Sequence, residues 1–278
     1  MPLDHPKVPS TALTDTADTY MARESAIWRD GQLQRNGFYS LSKGKDAFGA
    51  RLALMKRAER SIDAQYFLMK PDNAGLVFTE KLMQAADRGV RVRLLLDDIF
   101  TTVDDAYFSF MNAHPNIEVR IFNPVSRKGL YLLNYIGHFS LANRRMHNKS
   151  FIVDNQAAIV GGRNIAVEYF QLETTGEFVD FDMLAAGPIV RDISDSFDTY
   201  WNNELAVPME ALSGTPDQKQ VEQDSQAVRQ LMGKAGDSIY ADAINSSLMR
   251  QFSADELDPY MAKARMIVDD PSKLRAEI

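Results

Sequence analysis

The chain contains no cysteine among its 278 residues. Disulfide frameworks, thiolate metal sites and cysteine nucleophiles are therefore excluded, and the composition fits a reducing compartment. Histidine is scarce as well, with four residues in all. Any chemistry that needs an imidazole must use one of these four side chains.

Long apolar runs and an excess of basic charge are also missing. No run approaches the roughly 18 apolar residues of a membrane-spanning helix, and the first 30 residues lack a basic segment followed by an apolar one. We expect the chain as given neither to span a membrane nor to carry an export signal. Its net charge of −7 argues against nucleic-acid binding through bulk charge.

What the sequence does contain is a compact polar motif around His147 and Lys149. Asn148 separates the two residues and apolar residues 151–153 follow, so a period-2 strand would place both side chains on one face. An imidazole can act as a nucleophile or transfer a proton, and a neighbouring ammonium attracts an anion. This combination favours attack on a phosphate.

A turn and a glycine pair follow the motif. Asn155 and Gln156 indicate a tight turn, residues 157–160 a second short strand, and Gly161-Gly162 a place where backbone approaches a bound group. Asn164 can donate an amide hydrogen bond to that group or cap the helix that follows.

The complete spacing, His-x-Lys-x4-Asp-x6-Gly-Gly-x-Asn, resembles the HKD signature of the phospholipase D superfamily. The flanking sequences narrow the resemblance to the bacterial cardiolipin synthase branch, over about residues 25–208. Those flanks are residues 89–98, 114–124, 143–146, 157–164 and 200–204.

Helical and strand patterns alternate along the chain. Helices are predicted at 47–58, 75–88, 104–113, 189–205 and 238–250, and strands at 61–69, 90–96, 117–122, 178–186 and 264–271, besides the two strands of the motif. This rhythm and the resemblance predict an α/β fold: a phospholipase D-like lobe with a mixed, largely parallel β-sheet flanked by helices on both faces.

Four segments are expected. Residues 1–30 form a loosely ordered arm ending in a short helix with Trp28, and residues 31–207 form the phospholipase D-like domain with one HKD motif. Residues 208–236 form a linker, and residues 237–278 begin an apparently incomplete second lobe. The resemblance implies two facing HKD motifs, so the partner is a second HKD half, supplied by homodimerisation or by a missing C-terminal part.

The resemblance also implies roles for individual residues. His147 is the nucleophile or the general acid, Lys149 binds the phosphate together with Asn164, Gly161 and Gly162, and an acidic residue on the next strand orients the histidine. For that acidic residue we expect Asp182, with Asp180 on the same face as the alternative. Asp154 is a catalytic candidate or a residue that hydrogen bonds its own turn.

No cofactor and no metal are expected. Asp97 and Asp98 end a strand, but adjacent carboxylates point to opposite faces and suit a metal poorly. His5 and His114 are predicted to be ordinary exposed residues, and His138 is a candidate substrate contact. It lies in the apolar segment 129–139, bracketed by Arg127, Lys128, Arg144 and Arg145, which is either a helix at an anionic lipid surface or a helix packed on the core.

The function implied is a cardiolipin synthase-type phosphatidyltransferase that works through a phosphohistidine intermediate on phosphatidylglycerol-type phospholipids. Such a protein would be cytoplasmic and peripheral on the inner face of the bacterial cytoplasmic membrane, in contact with its anionic surface and not with nucleic acid. The alternatives are a single-HKD phosphodiesterase or nuclease that is active as a homodimer, or an inactive truncated half of a two-HKD enzyme.

Overall fold

A computed structural model describes residues 5–98, 105–124, 145–172, 178–213, 237–253 and 257–274, with a few positions between 214 and 236. The helices in these residues are α1 (Tyr20–Trp28), α2 (Gly44–Arg57), α3 (Asn73–Asp87), α4 (Asp105–Asn112), α5 (Val167–Phe170), α6 (Ile189–Trp201), α7 (Met209–Ser213), α8 (Asp237–Ile244) and α9 (Ser247–Ser253). The strands are β1 (Asn36–Leu41), β2 (Ser61–Tyr66), β3 (Arg91–Asp97), β4 (Ile117–Phe122), β5 (Ser150–Val153), β6 (Ala157–Gly161), β7 (Asp182–Ala186), β8 (Ala206–Pro208) and β9 (Tyr260–Ala262).

All of these strands belong to one sheet, in the order β8-β4-β3-β2-β5-β6-β7-β1-β9. The α/β class and the mixed sheet are confirmed, but the parallel majority is wrong. Only β2–β3 and β3–β4 are parallel, and the other pairs of neighbours are antiparallel. The reason is the connections: α3 and α4 form crossovers between parallel strands, whereas a short turn can join only antiparallel ones.

The turn between β5 and β6 shows why the HKD strands form a hairpin. Asp154 and Asn155 have φ angles of 52° and 51°, and the Gln156 amide donates to the Val153 carbonyl at 3.0 Å. Asp and Asn tolerate this left-handed backbone better than most residues. The sequence therefore returns antiparallel along β5 within three residues.

Helices cover both faces of the sheet, as predicted. On β5 the side chains alternate: Phe151 and Val153 belong to the core beneath α2 and α3, and Ile152 belongs to the core beneath α6. Because both faces are covered, all four residues of this strand are buried. Apolar contacts therefore cover the central strands on both faces, beneath α2 and α3 on one and beneath α6 on the other.

The N-terminal arm departs from expectation, because its described part is held in place. The Ser10 amide donates to Asn202 Oδ1 at 3.1 Å, and the Ala12 amide donates to Asp198 Oδ2 at 2.8 Å. Side chains at the end of α6 thereby satisfy the backbone of the arm. The expectation of a loosely ordered arm over 1–30 is wrong for these residues, while the short helix predicted at its end is α1.

The residues assigned to the beginning of a second lobe add to the first sheet. Helices α8 and α9 pack against α2, and β9 pairs with β1. The strand predicted at 264–271 is wrong: the strand ends at Ala262, which opposes Asn36, the first residue of β1. Among the described residues, the pairing of this strand with β1 ends at Ala262.

Candidate functional site

The candidate site lies at one edge of the sheet, meaning the edge formed by the ends of the inner strands and not by an outer strand. Several chain segments meet there. The parallel strands β2 and β3 end there, β5 and β7 begin there, and β6 arrives there at Gly161. This edge brings together residues that are far apart in sequence, namely Phe67, Asp97, His147, Lys149, Asn164 and Asp180.

His147 and Lys149 precede β5 instead of lying within it, yet they share one surface. The ring of Phe67 lies 4.9 Å from the His147 ring, measured between centroids, and 5.3 Å from the Lys149 Nζ. The Lys149 ammonium also donates to the His147 carbonyl at 2.8 Å. The two predicted residues are therefore together, held by an aromatic side chain instead of by a strand face.

Burial lowers the pKa values of both groups. It lowers the pKa of Lys149 to about 8, although the carboxylates of Asp180, Asp182 and Asp97 act in the opposite direction. Burial, followed by the charge of Lys149, lowers the pKa of His147, and Asp180 opposes the shift. A histidine with a lowered pKa is neutral near pH 7 and has a free lone pair, as a nucleophile requires.

Asp97 orients the segment that carries His147. It is fully buried, and its carboxylate accepts from the Met146 amide at 3.0 Å and from the Arg145 guanidinium at 3.3 Å. The residue immediately before the histidine is thus tied to the end of β3. Within the described part of the chain, no group of acidic or histidine side chains has the arrangement of a metal site.

Asn164 is oriented by the loop that follows β2. Its Oδ1 accepts from the Leu68 amide at 3.1 Å, and the side chain is 2% exposed. The residue at the N-cap of α5 is Ala166, so Asn164 does not cap that helix. With the oxygen occupied, the amide nitrogen is the group that can donate to a phosphate.

The glycine pair makes room for two carboxylates. A Cβ at Gly161 would overlap Oδ1 of Asp182, and a Cβ at Gly162 would overlap the carboxylate of Asp180. These contacts explain, without any bound substrate, why each position requires a residue that lacks a Cβ. The close approach predicted for Gly161 and Gly162 is real, but here it is to side chains from the beginning of β7.

The chain is similar in sequence to proteins of a known family. A family model described as cardiolipin synthase, PLD-like domain, matches residues 52–201, more than half of the chain. The chain belongs to this family of phospholipase D-like proteins. Cardiolipin synthase C of Escherichia coli is 40% identical over 238 residues, which is 85% of this chain and 50% of that protein.

More distant relatives agree with this family. A cardiolipin synthase of Geobacillus kaustophilus is 31% identical over 163 residues, covering 58% of this chain and 31% of that protein. A phosphatidylserine synthase of Haemophilus influenzae has the same fold with a TM-score of 0.51 at 12% identity, over 77% of this chain and 48% of that one. The chain spans about half the length of the curated relatives that it matches most extensively.

Asp182, the expected partner of His147, forms its hydrogen bonds with arginine residues in this phospholipase D-like lobe. Its Oδ2 accepts from Arg51 on α2 at 2.9 Å, and its Oδ1 accepts from the Arg163 amide at 3.2 Å. Both Asp182 and Arg51 are almost completely buried. The half-buried carboxylate that acts electrostatically on His147 is that of Asp180, the alternative left open by the sequence.

Asp154, the last residue of the HKD motif, lies at the opposite end of β5. Its carboxylate accepts from the backbone amides of Arg60 at 2.7 Å and Ser61 at 2.9 Å. It lies five positions after Lys149, roughly 17 Å along an extended chain. Its position supports the hydrogen-bonding alternative and not the catalytic one, although the bonds reach the beginning of β2 instead of its own turn.

Two site residues could not be found from the sequence. Phe67 follows β2 directly and is one of 15 phenylalanines, and Arg51 lies on a helix in a sequence with 31 basic residues. Neither has a local pattern that distinguishes it from core or surface residues. Each acquires its role through a contact with a residue at least 80 positions away.

A groove of about 470 Å³ opens beside Lys149. Gly161 and Asn148 line one wall, and residues 266–269 line another. The Tyr200 hydroxyl donates to the Asp269 carbonyl at 2.8 Å and holds that segment in place. The tail predicted to begin a second lobe therefore returns over the candidate site.

Part of the predicted lipid-facing surface lies outside the described residues. This holds for the apolar segment 129–139 with His138, and for Arg127, Lys128 and Arg144. Arg145 is described, and it contacts Asp97 and the Asn123 carbonyl. No helix in the part of the chain that the structure describes is long and apolar enough to cross a membrane.

Proposed function

We propose that this protein is a phosphatidyltransferase of the cardiolipin synthase type, acting on phosphatidylglycerol-type phospholipids. The observation that carries the proposal is the pair His147 and Lys149, with lowered pKa values, beside a groove at the sheet edge. The relatives named cardiolipin synthases support the choice of substrate class.

Exposed apolar side chains around the site favour a lipid over a hydrophilic phosphodiester. Val179 is 95% exposed, Ile267 is 89% exposed, and Phe178 and Phe181 are each about half exposed. These side chains flank Asp180 and the groove. Apolar residues that are exposed together next to a reactive site are suited to contact acyl chains. We infer peripheral binding at the inner face of the cytoplasmic membrane.

The reaction proceeds by two displacements at phosphorus. Nε2 or Nδ1 of a motif histidine attacks the phosphodiester, a P–N bond forms, and the P–O bond to the first alcohol breaks while that alcohol takes a proton from the opposing histidine. An acceptor hydroxyl then loses its proton to that histidine and attacks phosphorus, which breaks the P–N bond. Water in place of the acceptor gives phosphatidic acid.

Charge on the transferring group is stabilised by the fixed donors of the site. The Lys149 ammonium and the Asn164 amide are both largely buried, so they need little reorganisation as charge develops on the phosphoryl oxygens. The charge of Asp180 raises the pKa of His147, against the effects of burial and of Lys149.

The mechanism requires a second imidazole. His147 supplies one, and we infer that the facing histidine comes from a second HKD half, either in a homodimer or in further sequence.

Replacing His147 tests the proposal. We expect His147→Asn to abolish transfer of radiolabelled phosphatidyl groups into cardiolipin and to abolish an acid-labile labelled protein intermediate. His114→Asn is the matched control, because His114 bonds Asp87 and the turn before β4, far from the motif. If the chain alone is inactive, the same pair is compared after a fragment with a second HKD motif is added.

Two outcomes contradict the proposal. Wild-type transfer by His147→Asn would exclude an essential imidazole at this position. Hydrolysis to phosphatidic acid without any cardiolipin, in the presence of excess phosphatidylglycerol, would make the protein a phospholipase instead of a transferase.

A further inference from the structure

The groove of the candidate site lies between the sheet and helix α6. Ser150 at the beginning of β5 opposes Gln65 on β2 and Val160 on β6, and all three residues line the groove. Ile152 lies on the same face of β5 as Ser150 and packs beneath α6. Ser196, which belongs to α6, lines the groove as well. The groove is therefore lined by one serine from the sheet and one from the helix.

The Ser196 hydroxyl has no hydrogen-bond partner among the described residues. Serines and threonines inside helices often donate to the carbonyl four residues before, as Thr199 does to Asp195 at 2.8 Å, but Ser196 does not. The residue is 9% exposed, and its oxygen keeps accessible surface, unlike the enclosed unpaired hydroxyls of Ser25 and Ser109. This hydroxyl can therefore both donate to and accept from a molecule in the groove.

Within the described part of the chain, the Ser150 hydroxyl has one hydrogen bond, and that bond is long. It donates to Gln65 Oε1 at 3.4 Å, close to the upper limit for a hydrogen bond. Its oxygen is still able to accept hydrogen bonds through its lone pairs. Asn148, which is half-buried, also lines the groove and adds an amide. A ligand with several hydroxyl groups can pair with side chains of this kind.

Charge in the groove argues against a cationic ligand. Lys149 lines it, and its ammonium repels a second cation. Asp269 is the one acidic residue in the described lining, but it is exposed, so water screens its charge. None of the described lining residues is aromatic, whereas a quaternary ammonium group is usually bound by aromatic faces. The lining therefore favours an uncharged polar group.

We propose that this groove binds the alcohol bonded to the substrate phosphate, that this alcohol is a neutral polyol of the glycerol type, and that Ser196 and Ser150 recognise its hydroxyl groups. The inference rests on the proposed function, in which Lys149 binds the phosphate. Because Lys149 lines the same groove, an alcohol attached to that phosphate extends along the two serines. A site built to hydrogen bond hydroxyl groups disfavours an analogue that lacks them. Ser196 is thus a specificity-determining residue on a different element from the HKD motif.

Binding of soluble methyl phosphodiesters tests the inference without turnover. The full chain carrying His147→Asn is titrated with glyceryl methyl phosphate, propyl methyl phosphate and 2-aminoethyl methyl phosphate, and the dissociation constants are measured by NMR. We expect the glyceryl diester to bind about tenfold more tightly than the propyl diester, because it adds two hydrogen bonds. The aminoethyl diester should bind no more tightly than the propyl diester.

Two variants and a matched control, all made in the His147→Asn chain, identify the residues. Ser196→Ala should reduce the preference for the glyceryl diester about threefold to tenfold and leave the affinity for the propyl diester unchanged. Its melting temperature should not fall, because the lost hydroxyl has no partner among the described residues and alanine favours a helix. Ser150→Ala should reduce the same preference. Ser194→Ala is the control and should keep the full preference, since Ser194 lies on α6 but donates to Asn155 Oδ1 at 2.8 Å and does not line the groove.

The inference is overturned by any of three results. Equal binding of the glyceryl and propyl diesters would mean that the groove does not recognise hydroxyl groups, while the proposed function would stand. Tighter binding of the aminoethyl diester would assign the groove to a cationic alcohol. An undiminished preference in folded Ser196→Ala and Ser150→Ala proteins would place the glyceryl group elsewhere. Absence of binding by every diester would overturn the proposed function together with this inference.

Discussion

Asp182 forms a buried ion pair with Arg51, whereas Asp180 raises the pKa of His147. Substitutions at the two positions should therefore have different effects, one on the stability of the fold and the other on the titration of His147. Asp182→Asn removes the charge that compensates Arg51, whose side chain is 2% exposed. Removal of one partner from a buried pair costs about 3–5 kcal/mol, because the other charge stays buried without compensation. For a chain of this size, about 2–4 °C is lost per kcal/mol, so the melting temperature should fall by roughly 6–20 °C.

The measurement is thermal unfolding by circular dichroism, with urea unfolding as a second measure of the free energy of unfolding. Asp180→Asn is the matched control: this carboxylate lies two residues away and is only half-buried, so we expect little change in stability. Instead it should lower the apparent pKa of His147 in the pH–rate profile, because Asp180 raises that pKa. The reasoning is refuted if Asp182→Asn keeps the wild-type melting temperature and shifts the pH profile.

Three further changes have defined consequences. Lys149→Ala should slow transfer at least ~10²-fold. In the wild type, the affinity for a soluble phosphodiester should fall as the pH rises through about 8, because the Lys149 ammonium loses its proton there. Constant affinity across that range would contradict the assignment of Lys149 as the phosphate-binding cation. Asp154→Ala should cost on the order of 3 kcal/mol in urea unfolding, because backbone amides lose their acceptor, while activity per folded molecule stays unchanged. Gly162→Ala should displace Asp180 and move the acid limb of the pH–rate profile for His147 to lower pH; an unchanged limb would argue against that contact.

Local pattern was sufficient to predict most elements of the sheet. The strand at 117–122 agrees with β4 residue for residue, and the helix at 75–88 differs from α3 by two residues at its beginning and one at its end. Apolar periodicity within a few residues decides whether a segment is a helix or a strand. It does not decide which strands become neighbours, and the predicted parallel majority was wrong for that reason.

Within the candidate site, the sequence predicted that His147 and Lys149 lie together, but it did not predict their surroundings. His147 and Lys149 lie two residues apart, so one short motif is enough to bring them together. The partner of Asp182 could not be predicted in the same way, because Arg51 is 131 positions away and reaches the carboxylate only after α2 packs on the sheet.

The sequence by itself was enough to predict the family, the candidate imidazole and ammonium of the site, and most of the central helices and strands, because each depends on residues close together in the chain. Only the tertiary structure showed that Asp182 is paired with Arg51 and that Asp180 is the carboxylate that raises the pKa of His147. It also decided that Asp154 is bonded to the backbone at the beginning of β2, and that the tail returns over the groove. These outcomes depend on burial and on contacts between distant segments, which exist only once the sheet has formed.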